Sequence, residues 1–348
     1  MATSAGPLRI GLLGASRIAL EALVAPAADG ALRLVAVASR DRDRAARFAA
    51  ENGIERIAGS YEELLADPDV EVVYNALPNS LHGPWNVAAV QAGKHVLSEK
   101  PFASNAEEAR QVAAAVANSD RIVFDAFHYR YHPIFHRFLT ATTGGEIGAL
   151  SALRVRMTMP PPGDNDLRWS LPLAGGAMMD LGCYALHVVS AVADAVGDGG
   201  PELVEASMGE RPGRPGIDQW FTAELALPNG ARAFVHGDMG HPEWEFSLKA
   251  EGDGGHVVVK NFIKVNTDDR LIVYSAREGE RVEHLGTRSS YHYQIDALTA
   301  AVRWGSPFPT NATDAVINLD LIDRCYHMAG LPVRPRHVHR SERPSRTP

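Results

Sequence analysis

Short apolar runs alternating with helical patterns constrain the first third of this chain more than any other feature. Leu8–Leu13 is an apolar run ending at Gly14, and a helical pattern follows over Arg17–Val24. Leu32–Ala38 reads as a second strand, followed by a helix over Asp41–Glu51. Val70–Ala76, His95–Glu99 and Arg121–Phe127 read as further strands, with helical stretches at Tyr61–Ala66, His82–Ala92 and Asn105–Ala117. Such alternation predicts α/β architecture with a doubly wound parallel sheet. Ligands of these sheets bind beyond the carboxyl ends of the strands. The loops after Leu13, Ala38, Ala76, Glu99 and Phe127 are therefore expected around one cleft.

The first of these loops carries an imperfect dinucleotide fingerprint. Aligned on G-x-G-x-x-G/A, its positions are Gly14, Ser16 and Ala19. Gly14 suits the tight turn, and Ala19 is small enough for close helix–strand packing. Ser16 replaces the glycine that lets backbone approach pyrophosphate, and its hydroxyl is a candidate donor to a phosphate oxygen. Gly14, Ala15, Ser16, Arg17 and Ile18 are the candidate cofactor loop, in the setting expected of a Rossmann domain. The second strand ends in Ser39-Arg40-Asp41. An NAD enzyme usually places an acidic group there for the ribose 2′-hydroxyl. A hydroxyl and a guanidinium suit a 2′-phosphate instead, which favours NADP(H) over NAD(H). Asp41 also reads as a plain helix N-cap.

Ala76, Leu77, Pro78, Asn79 and His82 form a turn entering the next helix and are further cofactor candidates. Glu99-Lys100-Pro101 places a lysine at the cleft mouth. Beside a cationic nicotinamide its pKa should fall, and it can share a proton with a substrate hydroxyl. Taken alone, the tripeptide is also an ordinary charged strand end.

A later stretch, Gly175-Gly176-Ala-Met-Met-Asp180-Leu-Gly-Cys-Tyr184-Ala-Leu-His187, sets a carboxylate, a phenol and an imidazole at helical spacing. A regular helix would present all three on one face, where they could handle protons of a small polar molecule. Ahead of it, Gly163-Asp-Asn-Asp-Leu-Arg168-Trp169 supplies a candidate cofactor contact in Arg168 and a candidate sugar-stacking ring in Trp169. Both also read as loop anchors.

Together these pieces resemble the Gfo/Idh/MocA family of oxidoreductases. The resemblance rests on Gly14-Ala-Ser-Arg-Ile-Ala19, Ala38-Ser-Arg-Asp41, Asn75-Ala-Leu-Pro-Asn-Ser-Leu-His82, Gly93-Lys-His-Val-Leu-Ser-Glu-Lys-Pro101 and Gly175-Gly-Ala-Met-Met-Asp-Leu-Gly-Cys-Tyr184. It runs from about Leu8 to Leu331. It implies that Lys100 is catalytic, with Asp180 and Tyr184 as partners, and that Glu99 lies beside the cofactor. Tyr rather than His at 184 is similar to the branch of glucose-fructose oxidoreductase, dimeric dihydrodiol dehydrogenase, xylose dehydrogenase and deoxysugar ketoreductases. The resemblance also places the segment Asp125–Pro133 beside nicotinamide and substrate. His128 and Arg130 are its candidate contacts, and His187 is a candidate pocket wall. His132 and His136 have metal-like spacing, but no further ligand cluster lies near them in sequence, so no metal site is expected.

The second half is rich in strand signals: Ala149–Thr158, Leu203–Met208, Trp220–Leu227, Ala231–His236, Trp244–Ala250, His256–Lys260 and Arg270–Tyr274. Asn229-Gly230 is a hairpin signal. Helices are expected at Tyr291–Trp304 and Thr313–Met328. This predicts an α/β domain with a large, mostly antiparallel, open-faced sheet. If its free face is apolar, that face needs a partner subunit, as a homodimer or homotetramer. His236, Tyr291 and His292 are weaker candidates for the cleft. The expected division is 1–127 for cofactor, 128–334 for substrate and oligomerisation, and 335–348 as a disordered basic tail. The last helix is expected to be able to pack back on the first domain.

A net charge of −8 argues against nucleic acid or an anionic membrane as main partner. Two cysteines, Cys183 and Cys325, cannot build a disulfide framework and fit a reducing cytoplasm. No signal peptide or spanning helix is read at Met1–Pro7 or after it. The expected activity is NADP(H)-dependent hydride transfer involving a secondary alcohol or ketone of a sugar, sugar nucleotide, polyol or related cyclic alcohol. Tyr184 would move the proton, Lys100 would stabilise its phenolate, and Asp180 would hold a substrate hydroxyl or the lysine. A glycosidase with retained NAD and a non-catalytic dinucleotide sensor are the competing readings of the same fold.

Overall fold

The computed structural model describes residues 6–336. Most of Met1–Pro7, and all of the expected tail beyond Arg336, lie outside the described residues. Six strands form the first sheet: β1 Leu8–Leu13, β2 Leu32–Ala38, β3 Arg56–Ile57, β4 Val72–Asn75, β5 His95–Ser98 and β6 Val123–Asp125. They run parallel in the order β3-β2-β1-β4-β5-β6. The order reverses between β1 and β4, the switch point at which such sheets open a crevice. β3 is only two residues long and carries no periodic signal, which is why the sequence does not show it.

Helix positions follow local chemistry. Asp41, Ser60 and Asn105 each cap a helix by accepting a backbone N–H, from Arg44, Glu63 and Glu108 respectively. The helix expected over Arg17–Val24 is different: a π-turn at Leu20–Val24 leads into a short α-helix at Ala25–Ala28, with Pro26 in its first turn. The buried faces of Leu8, Ile10, Leu12 and Leu13 form the sheet's core, each fully burying roughly 1.5–3 kcal/mol of side chain. Gly11 sits where a Cβ would lie 2.8 Å from Leu64 Cδ2 and 2.9 Å from Val70 Cγ1, so the helix Tyr61–Ala66 packs there.

Eight strands form the second sheet: β7 Leu150–Thr158, β8 Glu202–Glu210, β9 Asp218–Ala226, β10 Arg232–Asp238, β11 Glu245–Gly252, β12 Gly255–Val259, β13 Arg270–Ser275 and β14 Gly279–His284. The order is β14-β13-β12-β11-β7-β10-β9-β8, antiparallel except where β10 runs parallel to β7. The edge strand β14 was not expected. Its alternation of charged residues with Val282 gives little hydrophobic signal.

One face of this sheet packs on the helix Cys183–Val196, which is apolar nearly all round. The window Leu171–Val196 is apolar and long enough to cross a membrane, but 94% of it is buried inside the fold. The other face is mixed rather than apolar. Arg154 pairs with Glu251, Arg156 with Glu245 and Arg232 with Glu224 across neighbouring strands, and Lys249 joins Glu251 along β11. These pairs alternate with half-buried Phe234, Val258 and Ile272 and exposed Tyr274 and Val282. A surface of this kind tolerates water.

The last two helices return to the first sheet. Ser290–Trp304 buries Tyr291, Ile295, Leu298 and Ala301 in the same core as β1 and β2. Ala312–Met328 packs against Ala106–Ala117, where Asp323 accepts the Ala106 N–H at 2.9 Å. The first structural unit is therefore completed by residues from the far end of the chain.

Candidate active site

The site is assembled where β5 ends and a distorted helix begins. β5 delivers Glu99 and Lys100, and the Lys100–Pro101 peptide is cis. Opposite, Met178–Gly182 forms a π-turn before the regular helix Cys183–Val196. A π-turn places an extra residue in the coil and commonly accompanies functional sites. It breaks the single helix face expected for Asp180, Tyr184 and His187.

Asp180 and Lys100 meet across 80 residues of sequence. Lys100 Nζ donates to Asp180 Oδ1 at 2.8 Å and to the Asp180 carbonyl oxygen at 2.9 Å. Arg168 Nε donates to Asp180 Oδ2 at 2.6 Å. Burial opposes the charge of Asp180, but the two cations hold its carboxyl well below the usual carboxylate range. Burial also works against the Lys100 charge, yet Asp180 outweighs it and the lysine pKa rises. This reverses, for the protein alone, the lowered lysine pKa expected from the sequence. Both cations converge on Asp180, and Arg168 Nη1 also donates to Asp166 Oδ1 at 3.2 Å.

Tyr184 lies under this pair. Lys100 Nζ is 4.9 Å from the centroid of its ring. The Tyr184 side chain is nearly buried, and burial pushes its phenol well above the ordinary value. Its hydroxyl has no hydrogen-bond partner among the described residues, whereas the phenol of Tyr74 donates to Glu99 Oε1 at 2.7 Å. Tyr74 is a site-supporting residue that sequence reasoning missed, since a Tyr inside an apolar strand reads as core.

The dinucleotide loops converge beside this cluster. Gly14 has φ +92°, and a Cβ there would lie 3.3 Å from both Ala76 O and Leu77 Cδ2. Its N–H donates to Ala38 O at 2.8 Å. Ser16 Oγ is buried with no partner among the described residues. A positive-φ glycine against neighbouring backbone, with an orphaned hydroxyl two residues on, fits a phosphate-binding turn. Ala15 is buried, Ile18 half-buried and Arg17 exposed. Asp41 is spent on capping its helix through Arg44 N–H at 2.9 Å, leaving half-buried Ser39 and exposed Arg40 at the end of β2. Asn79 Nδ2 donates to Ala174 O at 2.9 Å, tying the Ala76–Asn79 loop to the entry of the Asp180 helix. Beneath it, Asn75 Nδ2 donates to Asn86 Oδ1, and Asn86 Nδ2 to Ser98 Oγ, both at 2.8 Å. That buried amide network braces the loops and was also missed.

Four candidates turn out to be internally engaged. His82 is 1% exposed, with ring nitrogens 2.7 Å from both Pro101 O and Leu77 O. Burial pushes its pKa down to about 4 against the pull of those carbonyls. It pins two loops together and contacts no open cleft. Trp169 donates from Nε1 to Pro162 O at 3.2 Å and lies under the Arg211 guanidinium at 4.1 Å, so it anchors its loop. His187 is 2% exposed, with Nδ1 2.6 Å from Tyr129 OH and Nε2 3.0 Å from Asp314 Oδ2. It stacks on Phe127 at 4.1 Å, behind Tyr184 and away from the cleft. Arg130 lies over the Phe135 ring at 5.2 Å, with no contact to Lys100 or Asp180.

His128 is the exception. Its Nδ1 is 2.7 Å from Ser290 Oγ, while its buried Nε2 has no partner among the described residues. Its ring lies 4.1 Å from that of Tyr291 and 6.0 Å from that of Tyr184. Burial, reinforced by Lys100, pushes its pKa down to about 3. His132 caps the helix Pro133–Thr143 through Ile134 N–H, which takes it out of register with His136. Cys183 and Cys325 are free thiols, pushed up to about 12 by burial.

Comparison with known proteins agrees with this architecture. The family model for the oxidoreductase family with an NAD-binding Rossmann fold, GFO_IDH_MocA, matches residues 8–127. The GFO/IDH/MocA C-terminal domain model matches residues 137–258. A D-xylose 1-dehydrogenase (NADP(+)) of Haloferax volcanii is 31% identical over 324 residues, covering 92% of this chain and 97% of its own. A 1,5-anhydro-D-fructose reductase of Ensifer adhaerens is 30% identical, covering 87% of this chain and 90% of its own. The crystal structure of KijD10, a 3-ketoreductase of Actinomadura kijaniata in complex with NADP and TDP-benzene, superposes with a TM-score of 0.84. It is 26% identical, with 93% of this chain and 98% of that chain covered. The chain belongs to the Gfo/Idh/MocA family of oxidoreductases.

Proposed function

We propose that this chain is an NADP(H)-dependent oxidoreductase acting on a secondary alcohol or ketone of a sugar, sugar nucleotide, polyol or related cyclic alcohol. The observation that carries the reading is the Lys100–Asp180 pair over the ring of Tyr184, whose hydroxyl is left without a partner. Gly14, Ser16, Ser39, Arg40 and the Ala76–Asn79 loop would hold the dinucleotide, and the bound nicotinamide supplies the hydride chemistry. Tyr184, kept protonated by burial, suits proton donation to a carbonyl oxygen. Lys100 holds positive charge beside the phenolate that this leaves, and Arg168 adds to the field that stabilises a developing oxyanion. Asp180 fixes both cations, so their geometry is set before substrate arrives. Solved variants of KijD10 include a tyrosine-to-phenylalanine and a lysine-to-alanine change, separated by the same number of residues as Lys100 and Tyr184 here.

NADP(H) is favoured because Asp41 is occupied as a helix cap, while Ser39 and Arg40 remain for a 2′-phosphate. The expected homo-oligomer would use the mixed, ion-paired face of the second sheet. The test is nicotinamide absorbance over a panel of sugars, keto sugars and nucleotide sugars. Turnover with NADPH or NADP+ is expected, and its absence across the panel overturns the reading. Arg40→Ala should weaken NADPH binding about 10-fold and leave NADH unchanged. Equal losses for both cofactors would refute the assignment of Arg40.

A further inference from the structure

The segment after the last helix ends in a buried cation. Arg334 is 1% exposed, and its guanidinium pairs with Asp218 Oδ1 in a contact where both side chains are 0% exposed. Its Nη1 also donates to Gly216 O at 2.8 Å, and the guanidinium lies over the Tyr326 ring at 4.1 Å. Tyr326 OH donates to Asp218 Oδ1 at 3.0 Å. A fully desolvated pair with this many partners is specific in geometry, and removing one member leaves an uncompensated charge.

What the pair touches gives it meaning. Asp218 Oδ2 accepts the N–H of Met178, the first residue of the π-turn, at 2.5 Å. Asp218 therefore satisfies a donor left free at the start of the helix that carries Asp180 and Tyr184. Gly176, two residues earlier, has φ +119°. A Cβ there would collide with Asp218 Oδ1 and lie 2.6 Å from Arg334 Nη2. The second glycine of the Gly-Gly entry is thus the position over which the pair is laid. The Asp180 N–H in turn donates to Gly176 O at 3.0 Å.

The backbone of Arg334 reaches the other half of the site. Its carbonyl oxygen accepts from Asn105 Nδ2 at 2.8 Å. Asn105 caps the helix that follows Lys100-Pro101. One residue near the end of the chain therefore joins the segment after Lys100 to the helix start before Asp180. We propose that Arg334, acting with Asp218, is a positioning residue for the Lys100–Asp180 pair, setting the distance between the two segments that bring the pair together. The proposal rests on the oxidoreductase reading for its kinetic consequence, but its geometric content does not.

Three variants of the full chain test it: Arg334→Met, Arg334→Lys and Asn105→Asp. Asn105→Asp keeps the cap oxygen for Glu108 N–H and replaces the donor to Arg334 O with a charged carboxylate oxygen that repels it. Arg334→Met should lower kcat roughly 100-fold, with the NADPH Kd within about 3-fold of wild type. Arg334→Lys should recover part of that loss, and Asn105→Asp should lower kcat about 10-fold. The second readout is independent of turnover: the rate at which an amine-reactive reagent labels Lys100, followed by peptide mass spectrometry. It should change at least about 3-fold in Arg334→Met and in Asn105→Asp, because the lysine's neutral fraction follows its distance from Asp180. If Arg334→Met does not fold, Asn105→Asp decides. A lowered Tm with unchanged kcat and unchanged Lys100 labelling would overturn the proposal and leave the pair a plain structural tie. If wild type turns over no substrate, the functional reading fails and the labelling rates still decide the positioning role.

Discussion

Two polar clusters hang from one helical segment, about two turns apart, and they differ in what they leave open. At its start, Asp180 is shared between Lys100 and Arg168, and the neighbouring Tyr184 hydroxyl has no partner among the described residues. About two turns after Asp180, both nitrogens of His187 are taken, one by Tyr129 and one by Asp314. Both clusters are buried and both contain groups able to move protons. The first keeps hydrogen-bonding capacity for something the chain does not supply. The second is closed, and closed networks stabilise and specify a fold. Unused capacity at a charged cluster, rather than residue type, separates the two.

The comparison can be broken most directly at Lys100. Lys100→Ala should lower kcat/KM roughly 10,000-fold in steady-state assays while the protein still unfolds cooperatively. A loss below about 10-fold would place the chemistry elsewhere. Tyr184→Phe should cost roughly 1,000-fold in kcat with the NADPH Kd unchanged, since only a hydroxyl without a protein partner is removed. Unchanged turnover would make Tyr184 part of the closed class.

His128 sharpens the boundary through pH. Its folded pKa of about 3 lies below its ordinary 6.5, so the unfolded chain binds this proton more readily. Its stabilising contribution is complete above pH 6.5 and is lost as pH falls toward 3. From pH 6.5 to about 4.5 the loss from this group is about 2 kcal/mol, readable as a falling Tm that flattens in His128→Gln. A Tm profile identical in the two proteins would remove His128 from the buried neutral groups. The smallest effect belongs to the closed cluster. His187→Gln should cost about 2 kcal/mol in denaturant unfolding and change kcat less than about 3-fold. A larger kinetic effect than stability effect would move His187 into the open cluster.

The parallel sheet was largely legible because its signal is local. Leu32–Ala38 is apolar apart from exposed Arg33, and the helices after β2, β3 and β5 begin at capping Asp41, Ser60 and Asn105. Lys100, Asp180 and Tyr184 were legible from a resemblance in motif order, and the fold brings them together as that resemblance implies. Misreadings came from side chains whose type allows two roles. His82 and His187 each carry a group suited to ligand contact and spend it on partners 19 and 127 residues away, and Trp169 spends its N–H on Pro162 within its own loop. Asp41 went the other way: its capping role was readable from its place before a helix.

Periodicity and turn chemistry along the chain were enough to point to two sheets and most of their helices. Those are consequences of residues within a few positions of one another. The rest required partners to be known. The π-turn that redirects His187, the charged outer face of the second sheet and the seating of Arg334 on Asp218 beneath Gly176 all depend on which distant groups meet. A buried polar atom must find its partner in space, and spacing along the chain does not name that partner.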